Sequence, residues 1–340
     1  MDAGEKRCRL ALAHVEFLRP REKLELVDML GGAAPLFSLS LRDLSELLGR
    51  PLRTRAWNPP ATLEAAAETE RRLTGGSLGS IFYWDEAYPA LLREIYDPPP
   101  VLFWRGAAPR HDMLTAAIVG TRLPTGAARK AAFRLAFELA RQGVAVVSGL
   151  ARGIDSEAHE GCLAGRGYTV AVLGNGIDAV CPAGSQSTAR SLLAAGGTIL
   201  SEYPPGTPPA KHHFPARNRI ISGMARTVVV VQAPERSGAL ITAEYALEQG
   251  RDLAVHADGA CGTAGAGGRA LADAGAPLIR GASELLAEWG LLPLAGAPRG
   301  GPADGDAPCT DTAGPALARR LRAEVDGSCV LRDGETYWRG

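Results

Sequence analysis

Six uninterrupted apolar runs punctuate the middle of the chain: AAIVG, VAVVS, YTVAVLG, GTILSE, RTVVVVQA and DLAVHA, between Thr115 and Ala257. Each is followed by a loop of small and polar residues. Stretches with apolar positions three and four apart separate them, the helical period. The spacing predicts helices opening at Ala127, Ser156, Ser187, Asn218 and Ala239. Strands that are apolar throughout and alternate with helices indicate a parallel sheet covered on both faces. Right-handed crossovers then gather the loops after the strands along one edge, where open α/β sheets bind ligands.

The flanks carry other rhythms. LALAHVEFL, EKLELVDML and RDLSELLG place leucines at helical spacing, with Gly31-Gly32 and Gly49 as stops and Ser40 as a cap. ATLEAAAETERRLTGGS reads as a further helix that connects this bundle to the aromatic-rich segment after it. In that segment, IFYWDEAYPALLREIYDPPPVLFWRG, Pro98 to Pro100 forbid a helix and put VLFWRG in a strand, the aromatics packing as an edge on the main sheet. After DLAVHA come a short helix (RALADAG), a strand-like APLIRG and a closing helix (SELLAEWG). LPLAGAPRGGPADGDAPCTDTAGP has the composition of a flexible linker. The final residues suffice for one helix and a hairpin. The expected units are a helical domain with its connector over 1–78, an α/β domain over 79–290, a linker over 291–314 and a short remnant over 315–340.

Charge changes this picture in one respect. The 37 basic and 37 acidic residues balance, so overall charge does not drive binding to duplex DNA, and any nucleic-acid contact comes from a local cluster. The six cysteines are scattered without a C-x-x-C, which argues for a reducing compartment and against a metal site. His14 and Glu16 interrupt the first apolar run, and no apolar stretch is long enough for a bilayer, so a cytoplasmic protein with no membrane contact is expected.

Candidate chemistry lies in the loops after the strands. In TRLPTGAARK, Arg122 stands before a helix whose first amides favour a phosphate. In GLARGIDSEAH, Gly149 and Gly153 permit close approach, Arg152 adds charge, and Asp155 or Ser156 is placed to cap the helix. Asp155, Ser156 and His159 fall too close along one helix for a catalytic triad, and no G-x-S-x-G is present, so His159 reads as a packing residue. Gly174, Gly176 and Ala179 loosely imitate a dinucleotide fingerprint. Cys181-Pro182 delays the helix, however, and no acidic residue follows at the needed distance, so no cofactor is expected. The long loop YPPGTPPAKHHFPARNR holds Lys211, one of only four lysines beside 33 arginines, with Phe214, Arg217, Asn218 and Arg219. An aromatic among cations in a proline-stiffened loop suits base stacking, while one of the two arginines braces the loops beneath. Ser237 and Gly238 open another helix as an anion cradle, with Thr242 and Glu244 one turn inside.

VGTR, SGLARGIDSEAH, VLGNGID, LSEYPPG, FPARNRIISG and SGALITAEYALEQGR, taken together, resemble the DNA-processing protein A family (DprA, or Smf) over roughly Trp84 to Gly281. The resemblance implies an extended Rossmann-like domain preceded by a SAM-like or helix-hairpin-helix domain. It also implies a non-catalytic recombination mediator of natural transformation that binds and protects single-stranded DNA, dimerises through the Rossmann-like domain and helps load RecA. Arg122, Lys211 and Phe214 fall on the family's basic and stacking positions, Gly149 to Gly153 on its glycine loop and Arg217 to Arg219 on its RNR motif. Departures are Cys181 for a tyrosine, Gln232 for a glutamate, His256 in a differing loop, and a C-terminal winged helix that is missing or vestigial. The alternative is a nucleotide hydrolase similar to the lysine-decarboxylase-like (LOG) proteins. Against it, S-G-A-L-I-T-A-E lacks the second and third glycines of their P-G-G-x-G-T-x-x-E loop.

Overall fold

Apolar runs become the buried strands of one nine-stranded sheet, in the order β1-β2-β6-β5-β4-β3-β7-β8-β9. The computed structural model describes residues 2–54, 57–74, 77–291, 329–332 and 335–338. The chain begins with helices α1 (Ala3–Ala11), α2 (Pro20–Leu30), α3 (Leu41–Leu47) and α4 (Pro59–Leu73). It continues through β1 (Leu78–Phe82), α5 (Ala90–Arg93), β2 (Val101–Gly106), β3 (Thr115–Val119), α6 (Gly126–Arg141), β4 (Ala145–Ser148), α7 (Ile154–Ala164) and β5 (Thr169–Val172). Next come α8 (Gln186–Ala194), β6 (Thr198–Ser201), α9 (His213–Gly223), β7 (Thr227–Val230), α10 (Gly238–Glu248) and β8 (Asp252–His256). The elements α11 (Ala266–Asp273), β9 (Leu278–Ile279) and α12 (Ala282–Glu288) complete the sheet domain, and β10 (Cys329–Arg332) pairs antiparallel with β11 (Glu335–Trp338). The terminal helix and residues 292–314 of the linker expected from the sequence lie outside the described residues.

The sheet is parallel from β6 through β9, but not throughout. β2 joins β6 antiparallel, Phe103 opposite Ser201, and β1 joins β2 antiparallel, Ile81 opposite Leu102. The prolines at 98–100 deliver the chain to β2 in extended form, and β1, paired to its outer side, forms the edge of the sheet. From β3 the chain steps outward through β4, β5 and β6, then returns to the other side of β3 with β7. The switch point therefore lies between β3 and β7, where Val119 sits opposite Val230.

Helices α6, α7 and α12 cover one face over Ile118, Val146 and Val229, while α9 and α10 cover the other over Val147, Val170 and Val228. A third apolar cluster runs without a break from the amino-terminal helices (Leu10, Leu26, Leu36, Ala66) into the sheet (Phe82, Phe103, Ala171, Ile199). The α4 helix is thus more than a connector: His14 Nε2 lies 3.0 Å from Thr69 Oγ1, and Arg7 pairs with Glu70 at 3.1 Å.

Three starts differ from the pattern. Helix α7 opens at Ile154 after Gly153 with no side-chain cap, so Asp155 and Ser156 lie inside its first turn and do not cap it. Helix α1 opens at Ala3, ahead of the run LALAHVEFL, because the Asp2 carboxylate accepts from the Glu5 amide at 2.8 Å and caps it. Helix α9 opens at His213, five residues before Asn218, so Phe214 and the RNR motif are helical rather than looped. Pro215 lies in its first turn, where the missing N–H has no intrahelical partner to lose.

Candidate nucleic-acid interface

The loops after β3, β4 and β7 meet the start of α9 around a groove of about 870 Å³ at the switch point. Nine of the eleven residues singled out in the sequence line it: Arg122, Gly149, Arg152, Lys211, Phe214, Arg217, Asn218, Ser237 and Gly238. Gly153 and Arg219 do not. Arg122, Arg152 and Lys211 are exposed, as is Arg236, a fourth cation that the sequence pattern did not single out. No ion pair joins any of the four to a described carboxylate. Arg236 precedes Ser237 in a loop after a strand, which was the available signal; Glu235 beside it masked the charge. Asp155 is the only carboxylate in the lining among the described residues. The wall also has an apolar side of Leu123, Ile221 and Ile241, with Leu123 86% exposed at the lip.

The glycines serve packing within the protein as much as access from outside. A Cβ on Gly149 would stand 2.8 Å from both an Arg217 nitrogen and Asp155 Oδ2. Gly153 has φ of 83°, and a Cβ there would meet Thr121 O at 2.4 Å, so it lets the β3 and β4 loops touch. Gly174 does the same for Phe214, whose Cδ1 would crowd a Cβ at 3.0 Å.

The two arginines of the RNR motif are both buried, Arg217 at 5% and Arg219 at 7% exposure. Arg217 Nη1 donates to the carbonyls of Gly149 (2.9 Å) and Val172, tying α9 to the ends of β4 and β5. Burial lowers its pKa to about 10, against the pull of Asp155. Burial likewise raises Asp155 to about 6, opposed by Arg217 and by the amide of Ala151, which donates to it at 3.3 Å. Arg219 makes a fork with Glu202 at 2.6 and 2.7 Å and donates to Asp97 O at 3.0 Å. Both arginines brace the loops. Asn218, between them, donates to Gly238 O at 3.2 Å and joins α9 to α10.

Helix starts add to the anion character. Thr125 caps α6 and Ser237 caps α10, where Ala239 donates to Ser237 Oγ at 3.3 Å. The free amides of α10 open at the groove beside Gly238. Gln232 holds the Arg122 loop: its Oε1 accepts from the Thr125 amide at 2.8 Å, and its Nε2 donates to Thr125 Oγ1 at 3.2 Å. The amide thus both donates and accepts there, which an ionised carboxylate does not.

Asp155, Ser156 and His159 do not assemble into a triad. Ser156 Oγ donates to Ala151 O at 2.8 Å, and His159 is fully buried with Nδ1 2.7 Å from Thr169 Oγ1. Thr169 gives its proton to Val146 O, so His159 Nδ1 donates and Nε2 is left without a partner among the described residues. Burial, then Arg217, lowers this imidazole to about 3. Its folded value lies below the ordinary 6.5, so stability is whole above pH 6.5 and is lost as pH falls toward 3, the unfolded chain taking the proton. Between pH 6.5 and 5 this one group removes about 2 kcal/mol. Urea unfolding at pH 7 and pH 5 checks it: His159→Asn should lose less stability than the parent by about that amount.

The chain is thus a Rossmann-like α/β protein with a cation-lined, carboxylate-poor groove at its switch point. Residues 79–290 match the family model described as DNA recombination-mediator protein A, and the chain belongs to that family. It is 42% identical over 214 residues to the Synechocystis protein Smf, which covers 62% of this chain and 54% of that one, so the chain spans about half that relative's length. The crystal structure of DNA processing protein A from Streptococcus pneumoniae superposes with a TM-score of 0.68 at 31% identity, over 84% of this chain and 98% of that one. A second structure, reporting the single-stranded DNA binding mode of DNA processing protein A from Helicobacter pylori, gives 0.55 at 29% identity, over 62% and 95%. Among the described residues no helix is long and apolar enough to cross a membrane.

Proposed function

We propose that this chain binds single-stranded DNA in the switch-point groove without reading its sequence, protects it, and helps load it onto RecA as a homodimer. The observation that carries the reading is the set of four exposed cations, without ion pairs to described carboxylates, around a groove with one buried carboxylate and one aromatic ring, Phe214. Phosphates would lie against Arg122, Arg152, Lys211 and Arg236 and the amides of α10, with Phe214 offered to a base. The binding mode reported for the Helicobacter pylori relative supports the same ligand. Contacts to the sugar–phosphate chain carry no sequence information, so affinity should be alike for different sequences at equal length.

Fluorescence anisotropy with labelled oligo-dT tests it. Arg122→Ala and Lys211→Ala should each weaken binding and flatten the salt dependence by about 0.7 in log K against log [salt]. Unchanged affinity in both variants would remove the groove from the account. The hydrolase alternative is less well supported. With Thr242 on the motif's threonine, the glutamate position falls on Tyr245, and Ala239 and Ile241 fill positions where close approach of a nucleotide needs glycine. Incubation with nucleoside monophosphates should release no free base.

A further inference from the structure

A second cavity, of about 720 Å³, lies between the amino-terminal helices and the proline-framed loop after β6. That volume is within the range of about 300–1,000 Å³ that takes small organic ligands. Its lining includes Lys23 from α2, Arg72 from α4, and Tyr203, His212 and His213. Lys23 is the unusual member. It is 8% exposed, and no described residue accepts a hydrogen bond from its ammonium or pairs with it within 4 Å. The carboxylates that act on it from a distance are otherwise engaged or solvated. Glu202 is held in the fork with Arg219, Asp97 accepts from the Arg21 amide at 2.8 Å, and Glu16 is exposed. Arg219 repels it. Arg72 already has Glu68 at 3.1 Å, so the cation that lacks a partner is Lys23.

Beside it the wall is aromatic. Tyr203 and His213 stack at 4.0 Å with 25° between their planes, and His212 stands edge-on to His213 at 4.4 Å. This wall is shared. Lys211 and Phe214 line the first groove, while the two residues between them, His212 and His213, line the second cavity. A buried amine without a counter-ion asks for an anion, and a flat wall asks for a ring. We propose that the cavity is a second nucleotide site, in which Lys23 takes a phosphate and the Tyr203–His213 wall takes its base. Two sources share this chemistry: a further nucleotide of the strand in the first groove, carried over residues 211–214, or a free nucleotide. The first source rests on the single-stranded DNA reading; the second does not.

The experiment compares the parent with Lys23→Met, which keeps an unbranched side chain one atom shorter and removes the charge. Exchanging a buried unpaired charge for an apolar group does not weaken a fold, and a melting curve confirms this. Labelled oligo-dT of increasing length is titrated by anisotropy, and thymidine monophosphate by calorimetry. If the strand is the source, short oligomers bind both proteins alike. Long ones then lose about ten-fold on Lys23→Met, with a salt slope smaller by about 0.7. If a free nucleotide is the source, thymidine monophosphate binds the parent and not the variant, at equal oligomer affinity. Parent and variant indistinguishable in both titrations, with short oligomers still binding, overturns the second site alone. A parent that binds no oligomer overturns the first groove instead, and the monophosphate titration then decides the second site by itself.

Discussion

Arg219→Met lowers the free energy of unfolding by about 3–5 kcal/mol, the range for breaking one side of a buried ion pair. The guanidinium is 7% exposed and holds both Glu202 oxygens. It also donates to Ala216 O and Asp97 O, each at 3.0 Å. Burial alone would disfavour its charge, but Glu202 outweighs burial and raises its pKa above the ordinary value. Without it, Glu202 is left charged in a site where its side chain is only 13% exposed. The loss appears as a lower urea midpoint at unchanged slope. Arg219→Met with Glu202→Leu removes the orphaned charge and should recover most of the loss. A double variant no better than the single would show that the carbonyl contacts, rather than the ion pair, hold α9.

The second large effect falls on binding. Phe214→Ala should reduce affinity for oligo-dT by about 1–3 kcal/mol, roughly 5- to 150-fold, which is what one stacked base contributes. The ring packs on Gly174 and lines the groove, so alanine loses packing as well. Phe214→Leu separates the two effects: it keeps apolar volume over Gly174 but has no π face. Leucine should keep the melting temperature of the parent and lose most of the affinity. A leucine variant that binds as tightly as the parent would make Phe214 a packing residue.

The sheet was legible because its strands are apolar on both faces, a pattern few other structures produce. Loop positions followed from it, and so did most of the groove. The antiparallel β2 was not legible in direction, since a strand's own residues do not record which way its neighbour runs. The start of α9 was misplaced because Pro215 resembles a breaker, although the first helical turn accepts it. What Arg217 and Arg219 do was legible only in part. Two arginines flanking an asparagine look like a cationic patch, and burial separates bracing from binding only once Glu202 and the strand-end carbonyls are in place. Lys23 gave no signal at all: in the pattern of α2 it is one polar position on a leucine-rich helix, and its enclosure comes from α4 and a loop some 180 residues later.

The guanidinium of Arg217 reaches carbonyls at the ends of two neighbouring strands from a third element. Such a rivet leaves the floor little freedom to breathe, so a flexible ligand does nearly all of the ordering on association. Each unit laid down carries its own ordering cost, so units beyond the end of the groove add no affinity unless a second foothold holds them.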